Sequence, residues 1–210
     1  MVNIVTSRAA GLADKDDEEE ETAKGEKMQG PGPQLAQILF KNRTILLMGE
    51  IDMRVAKEIT AQMLALAVQG DDDIKLVINS PGGHVESGDT IHDMIKFVTP
   101  KVKVLGTGWV ASAGAHIFLA APKEDRYCLP NTRFMLHQPL GGVGGKASDI
   151  DIEAREIIKM RRRINETISE ATGQPIEKVE KDTDRNFWMG AAEARDYGVV
   201  THIISAMKEF

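Results

Sequence analysis

Three short β-type runs, Thr44-Ile45-Leu46-Leu47-Met48, Ile74-Lys75-Leu76-Val77-Ile78 and Val102-Lys103-Val104-Leu105, are separated by stretches too long for hairpins and patterned as helices. This alternation restricts the fold most. An antiparallel pair needs only a short turn, whereas a parallel pair needs a crossover long enough to hold a helix. Asp52 is placed to cap the first helix, whose apolar residues Met53, Ala56, Ile59, Met63, Leu66 and Ala67 recur near the helical period until Gly70 stops it. The second helix runs from about Glu86 to Val98, and a third helix-friendly run, Ala115-His116-Ile117-Phe118-Leu119-Ala120-Ala121, follows the third strand. The rhythm βαβαβα predicts an α/β fold, a largely parallel sheet with helices on its faces.

Ligands of such sheets gather where the strands end. Two turns fall there. Gly106-Thr107-Gly108-Trp109-Val110-Ala111-Ser112-Ala113-Gly114-Ala115 seats one serine among small residues between strand and helix. Small neighbours let a substrate backbone reach the Ser112 hydroxyl, and amides at a helix start stabilise negative charge. The same residues would equally serve a close packing contact with no chemistry. Asn79-Ser80-Pro81-Gly82-Gly83 follows the second strand and leaves the Gly82 and Gly83 amides unshielded. A plain strand-to-helix turn has that composition too. Further on, Arg133-Phe134-Met135-Leu136 reads as a strand that delivers His137. The other histidines, His84, His92, His116 and His202, fall in a turn, on helices or in the terminal strand, where a satisfied or exposed imidazole is the ordinary reading. The glycine-rich run Leu140 to Ser148 is not a Walker A loop. Leu140 stands where its first glycine belongs and Ala147 where its Ser or Thr belongs. Its glycines suit an adaptable edge that pairs with a peptide backbone.

Ser148-Asp149-Ile150-Asp151 resembles a capping box and announces a long helix. Ile150, Ala154, Ile157, Ile164, Ile168 and Ala171 step along it to Gly173, about 24 residues and about 36 Å. A helix longer than the sheet is deep protrudes, and its apolar stripe needs another chain to cover it. Arg161-Arg162-Arg163 is expected to be intersubunit or solvated charge. A short helix then restarts after Gln174-Pro175 and reaches about Asp184; another spans Ala191 to Tyr197 and stops at Gly198, and Val199 to Ile204 closes as a strand.

Leu35, Ile38 and Leu39 share one face of a short helix beginning near Gln34. Residues 1–33 hold the run Asp14 to Glu21 and few apolar residues, so an acidic arm, disordered or processed, is expected before a single domain over 34–210. A net charge of −6 provides no broad basic surface for nucleic acid. No apolar run approaches the roughly 18 residues of a membrane helix. The single cysteine, Cys128, excludes an intrachain disulfide, and no Cys/His spacing suits zinc. A soluble, cytoplasmic protein free of membrane and metal is the expectation.

Residues from about 34 to 206 resemble the proteolytic subunit family of the Clp protease, a self-compartmentalising serine peptidase. The resemblance is carried by Asn79-Ser80-Pro81-Gly82-Gly83, Ala111-Ser112-Ala113-Gly114-Ala115, Cys128-Leu129-Pro130-Asn131, His137-Gln138-Pro139-Leu140-Gly141-Gly142, Ala154-Arg155-Glu156-Ile157 and Tyr197-Gly198, in that order. It implies a spiral of βαβ units of the Clp peptidase and crotonase-like kind, with a protruding handle over about 138–173 for ring-to-ring contact. Ser112 would be the nucleophile, His137 the general base, and the amides of Gly83 and Ala113 the oxyanion hole. Substrate would lie extended between His84-Val85 and Leu140-Gly141-Gly142. No cofactor is implied. Enoyl-CoA hydratase relatives share the spiral and hold an enolate with similar amides, but need no Ser/His pair.

The chain departs from the family pattern in three places. Where the family has the aspartate that orients the histidine, Asn186 stands, which predicts an attenuated peptidase; Asp182 or Asp184 would have to move to take its place. Family members stack two heptamers and dock loops of a separate AAA+ unfoldase, which feeds them unfolded polypeptides, into apolar pockets. The matching positions here are Lys75, Val77, Phe97, Tyr127 and Ile204, of which Lys75 and Val77 replace common aromatics. The acidic arm is longer than the family's usual start. A homo-oligomer and a mixed ring with a paralogue, in which this chain is a weakly active structural or regulatory subunit, both fit these departures.

Overall fold

The computed structural model describes residues 32–139 and 144–210. The acidic arm up to residue 31, and Leu140, Gly141 and Gly142 of the expected substrate edge, lie outside them. The chain opens with α1 (Pro33–Lys41) and continues through β1 (Thr44–Met48), α2 (Met53–Gln69), β2 (Ile74–Ser80), α3 (Val85–Phe97) and β3 (Val102–Ala111). Local chemistry sets these bounds. Asp52 Oδ1 accepts from the Val55 amide at 2.7 Å, satisfying one of the orphan donors at the start of α2. At the other end of the helix, Gly70 leaves with φ 155°.

β3 is longer than its apolar run predicts: it continues through the glycines to Ala111, so Ser112 terminates a strand directly rather than sitting in a loop. The following helix, α4 (Ala113–Phe118), is shorter than expected. Two strands escape the sequence patterning, β4 (Arg126–Cys128) and β6 (Phe187–Gly190). Between them run β5 (Arg133–Leu136), α5 (Ala147–Thr172) and α6 (Ile176–Asp182), and after them α7 (Ala191–Tyr197) and β7 (His202–Ile203), the last a fragment of the expected closing strand. The capping box at Ser148 does not form. α5 begins at Ala147, two residues before that box allows, with no side-chain cap, while Gly173 and Gly198 end α5 and α7 in the left-handed conformation.

Among the described residues seven strands join one sheet, ordered β1-β2-β3-β4-β7, with β5 paired to β3 and β6 to β5. Every pairing is parallel except β5 with β6. Alternate residues of β1 and β2 are buried (Ile45, Leu47, Ile74, Leu76, Ile78), and the residues between them are only half covered. At β1 and β2 the sheet is therefore fully covered within this chain on one face, not on both. The half-covered face carries Lys75 and Val77 of β2, and the register sets Val77 beside Leu105 and Leu105 beside Tyr127. Phe210 closes over that row, its ring 5.2 Å from Tyr127 and 5.4 Å from the Lys75 ammonium. Of the other expected docking positions, Phe97 stands exposed at the end of α3, and Ile204 is buried, so it underlies a surface instead of forming one.

α5 is built in two halves. Its C-terminal half buries Ile164, Asn165, Ile168 and Thr172 against the domain, while Ile150, Ile152 and Ile158 are exposed. The arginine run is not simply solvated: Arg163 holds Asp89 of α3 through Nη1 to Oδ1 at 3.0 Å and Nη2 to Oδ2 at 2.6 Å. No described helix is long and apolar enough to cross a membrane.

Candidate active site

Two ladders converge on Ser112 and His137. β3 pairs with β5 in parallel as far as Ala111 and Met135, and the Ser112 amide donates to the Met135 carbonyl at 2.9 Å. That bond places the serine beside the end of β5. β5 pairs antiparallel with β6, the last registered pair being Leu136 and Phe187. One step beyond, the same ladder sets His137 opposite Asn186. The Gln138 amide reinforces the approach by donating to the Thr183 carbonyl at 2.7 Å.

The side chains finish what the ladders begin. His137 Nε2 lies 2.7 Å from Ser112 Oγ, and His137 Nδ1 lies 3.1 Å from Asn186 Oδ1. An amide oxygen only accepts, so Nδ1 carries the ring proton and Nε2 faces the hydroxyl with its lone pair. Burial lowers the His137 pKa from its ordinary 6.5, partly offset by the hydrogen bond to Asn186. Asp182 and Asp184 do not replace Asn186. Asp182 is bound by Lys178 and by the Tyr197 hydroxyl, and Asp184 by Arg161, Arg185 and Gln138.

Ser112 itself is strained, with φ 54° and ψ −122°. A non-glycine residue in that region costs roughly 1–3 kcal/mol, which the surrounding contacts must supply. They come from close backbone approach. A Cβ on Gly82 would meet Ser112 Cβ at 2.6 Å and the Ala111 oxygen at 2.9 Å, and one on Gly88 would meet Ala113 Cβ at 3.1 Å. Gly83, at φ 148°, is pressed onto Ile51, whose oxygen would lie 2.2 Å from an added Cβ. The Ile51 carbonyl accepts from His84, not from Gly83. Among the described residues neither the Gly83 amide nor the Ala113 amide donates to a protein group. Both flank Ser112.

An apolar pocket opens behind the serine, walled by Val85, Leu136, Pro139, Ile164 and Ile168, with His116 among its lining residues. Val85, expected beside the substrate, lines this pocket. His84 immediately precedes α3, and its Nδ1 lies 2.9 Å from Ser87 Oγ. The sequence reads His116 as an ordinary helical histidine, and the structure sets it among the lining residues of this pocket. Its signal was position alone, one helical turn after Ser112.

A strained serine at a strand end, hydrogen-bonded to a histidine that also meets a side-chain amide, on a mostly parallel α/β sheet, is the arrangement of a serine peptidase. Residues 30–207 match the family described as Clp protease. The chain is 58% identical over 195 residues to the ATP-dependent Clp protease proteolytic subunit 3 of Rhizobium meliloti, covering 92% of this chain and 98% of that one. It also superposes on ClpP1 from Listeria monocytogenes, with TM-score 0.76 and 55% identity over 83% of this chain and 98% of that one. An Asn-to-Asp mutant of the same Listeria protein gives TM-score 0.78 and 56% identity at the same coverage. The chain belongs to the Clp protease family, as a proteolytic subunit.

Proposed function

We propose that Ser112 is the nucleophile, His137 the general base and Asn186 the residue that orients it, with the Gly83 and Ala113 amides as the oxyanion hole. The observation that carries this reading is the 2.7 Å contact between Ser112 Oγ and His137 Nε2 at a strained serine. Nε2 takes the hydroxyl proton as Oγ attacks the peptide carbonyl, and the imidazolium returns it to the departing amine. Water then hydrolyses the acyl-serine by the same route. Each oxyanion donor is worth about 2.7–4 kcal/mol in comparable sites. Asn186 keeps the productive tautomer but brings no charge to the imidazolium, so turnover is attenuated.

Substrate is an unfolded polypeptide lying extended between His84-Val85 and the segment 140–142. The domain spans 34–210, with the acidic arm before it. The exposed Ile150, Ile152 and Ile158 on α5 support stacking of two heptamers through this helix, from copies of this chain or with a paralogue. A separate cytoplasmic AAA+ unfoldase feeds the chamber, docking at the half-covered sheet face around Lys75, Val77 and Tyr127, near Phe97 and above Ile204. Fluorophosphonate labelling of the assembled protein tests the reading: an adduct on Ser112, absent in His137→Ala, supports it. An assembled oligomer with no Ser112 adduct would favour a structural subunit of a mixed ring.

A further inference from the structure

On the half-covered face of the sheet one register row runs Val77, Leu105, Tyr127 and His202 across β2, β3, β4 and β7. Val77, Leu105 and Tyr127 are each only partly buried, so this apolar row keeps surface that the single subunit does not bury. Tyr127 is met from two sides. The His202 ring stacks on it with centroids 4.6 Å apart, and the Phe210 ring meets it edge-on at 5.2 Å. The Lys75 ammonium lies 5.4 Å from the Phe210 centroid, within reach of a cation held over a ring. Phe210 is only partly exposed, whereas Met207, Lys208 and Glu209 before it are exposed. The ring is seated and the turn that carries it is not.

That turn folds on itself. Glu209 Oε1 accepts from the Ala206 amide at 2.7 Å and the Ser205 amide at 3.3 Å, and the Phe210 amide donates to the Met207 carbonyl at 3.2 Å. Among the described residues no hydrogen bond or ion pair ties 205–210 to the sheet beneath. The chain is fastened just before it, where the Ile204 amide donates to the Cys128 carbonyl at 2.9 Å. The ring can therefore leave the row without breaking a hydrogen bond. A row covered in this way suits a partner that brings the same chemistry, an aromatic or branched apolar side chain on a loop. We infer, on the reading that an unfoldase docks at this face, that Phe210 is a cap held in cis. Its ring and the partner's apolar side chain compete for the place over Tyr127 beside Lys75, so docking displaces it. An edge-to-face ring pair and an exposed cation over a ring are each modest contacts, so the cap opens readily. A groove open in roughly a tenth to a third of molecules binds about threefold to tenfold more weakly than one always open.

The chain has two tyrosines, Tyr127 and Tyr197, so fluorine NMR of the full chain labelled with 3-fluorotyrosine reads the row through a single resonance, the one that Tyr127→Phe removes. Phe210→Ala should shift the Tyr127 resonance and leave that of Tyr197 in place. N-acetylphenylalanine amide, which carries the ring of the cap and little else, is then titrated into both proteins. Tyr127 of Phe210→Ala should respond at concentrations roughly threefold to tenfold lower than in wild type. Phe210→Tyr, which keeps a ring, should behave as wild type. A Tyr127 resonance identical in wild type and Phe210→Ala, or equal affinity of the two for the amide, overturns the inference. If neither protein responds to the amide while Phe210→Ala still shifts Tyr127, the docking reading itself falls, and the role of the cap with it.

Discussion

Around Ser112 the close contacts come from the chain itself: Gly82 on Ser112, Gly83 on Ile51, Gly88 on Ala113, and two ladders that meet at His137. Along the outer half of α5 the opposite holds, since Ile152 and Ile158 are 58% and 66% exposed and touch no core. The first region is packed from described residues of one subunit. The second leaves its apolar side chains uncovered in the single subunit. The two meet at Arg163, whose grip on Asp89 ties the inner turn of α5 to the pocket behind the serine.

Substitutions that separate the two regions sharpen this contrast. Ser112→Ala should reduce peptide hydrolysis by a factor on the order of 10³ to 10⁶, leaving native mass unchanged. Loss of assembly in that variant would break the separation. Gly83→Ala places a Cβ 2.2 Å from the Ile51 oxygen and should cost about 3 kcal/mol or more in denaturant unfolding. Gly173→Ala, with nothing within 4 Å, should cost only about 1 kcal/mol for its left-handed backbone. Equal losses would mean that the glycines near Ser112 are not held by close approach.

The pH profile addresses His137. With His137 as the proposed base, kcat/KM should rise with pH through its pKa, and burial should put the acid-limb midpoint below the ordinary 6.5. Asn186→Asp, bringing a negative charge to Nδ1, should move that midpoint up. The smallest effect belongs to α5: Ile158→Asp should change monomer stability by less than about 0.5 kcal/mol yet shift native mass toward smaller assemblies. A destabilised monomer would show that the outer helix packs within the subunit after all.

Much of this arrangement is legible from local chemistry. β1, β2 and β5 follow apolar runs, Asp52 caps α2 as its position predicts, and Gly173 and Gly198 stop their helices. Ser112 and His137 could be singled out because a small-residue turn and a strand end are local features. β4 and β6 are too short, three and four residues, to establish a period, and they exist because the neighbouring edges pair with them. The Asp89–His116 pair joins residues 27 positions apart on different helices, which no local pattern announces. The Ser148 capping box failed because one matched tetrapeptide does not set a helix start when the backbone enters the helix earlier.

The central claim is that Ser112 is a working nucleophile whose strength is limited by the uncharged group behind His137. Fluorophosphonate labelling of assembled protein, followed by mass spectrometry of the Ser112 peptide, measures this directly in wild type and Asn186→Asp. The account predicts labelling of both at Ser112, with the aspartate variant reacting roughly 10- to 1,000-fold faster. Equal rates, or an adduct on another residue, would contradict it.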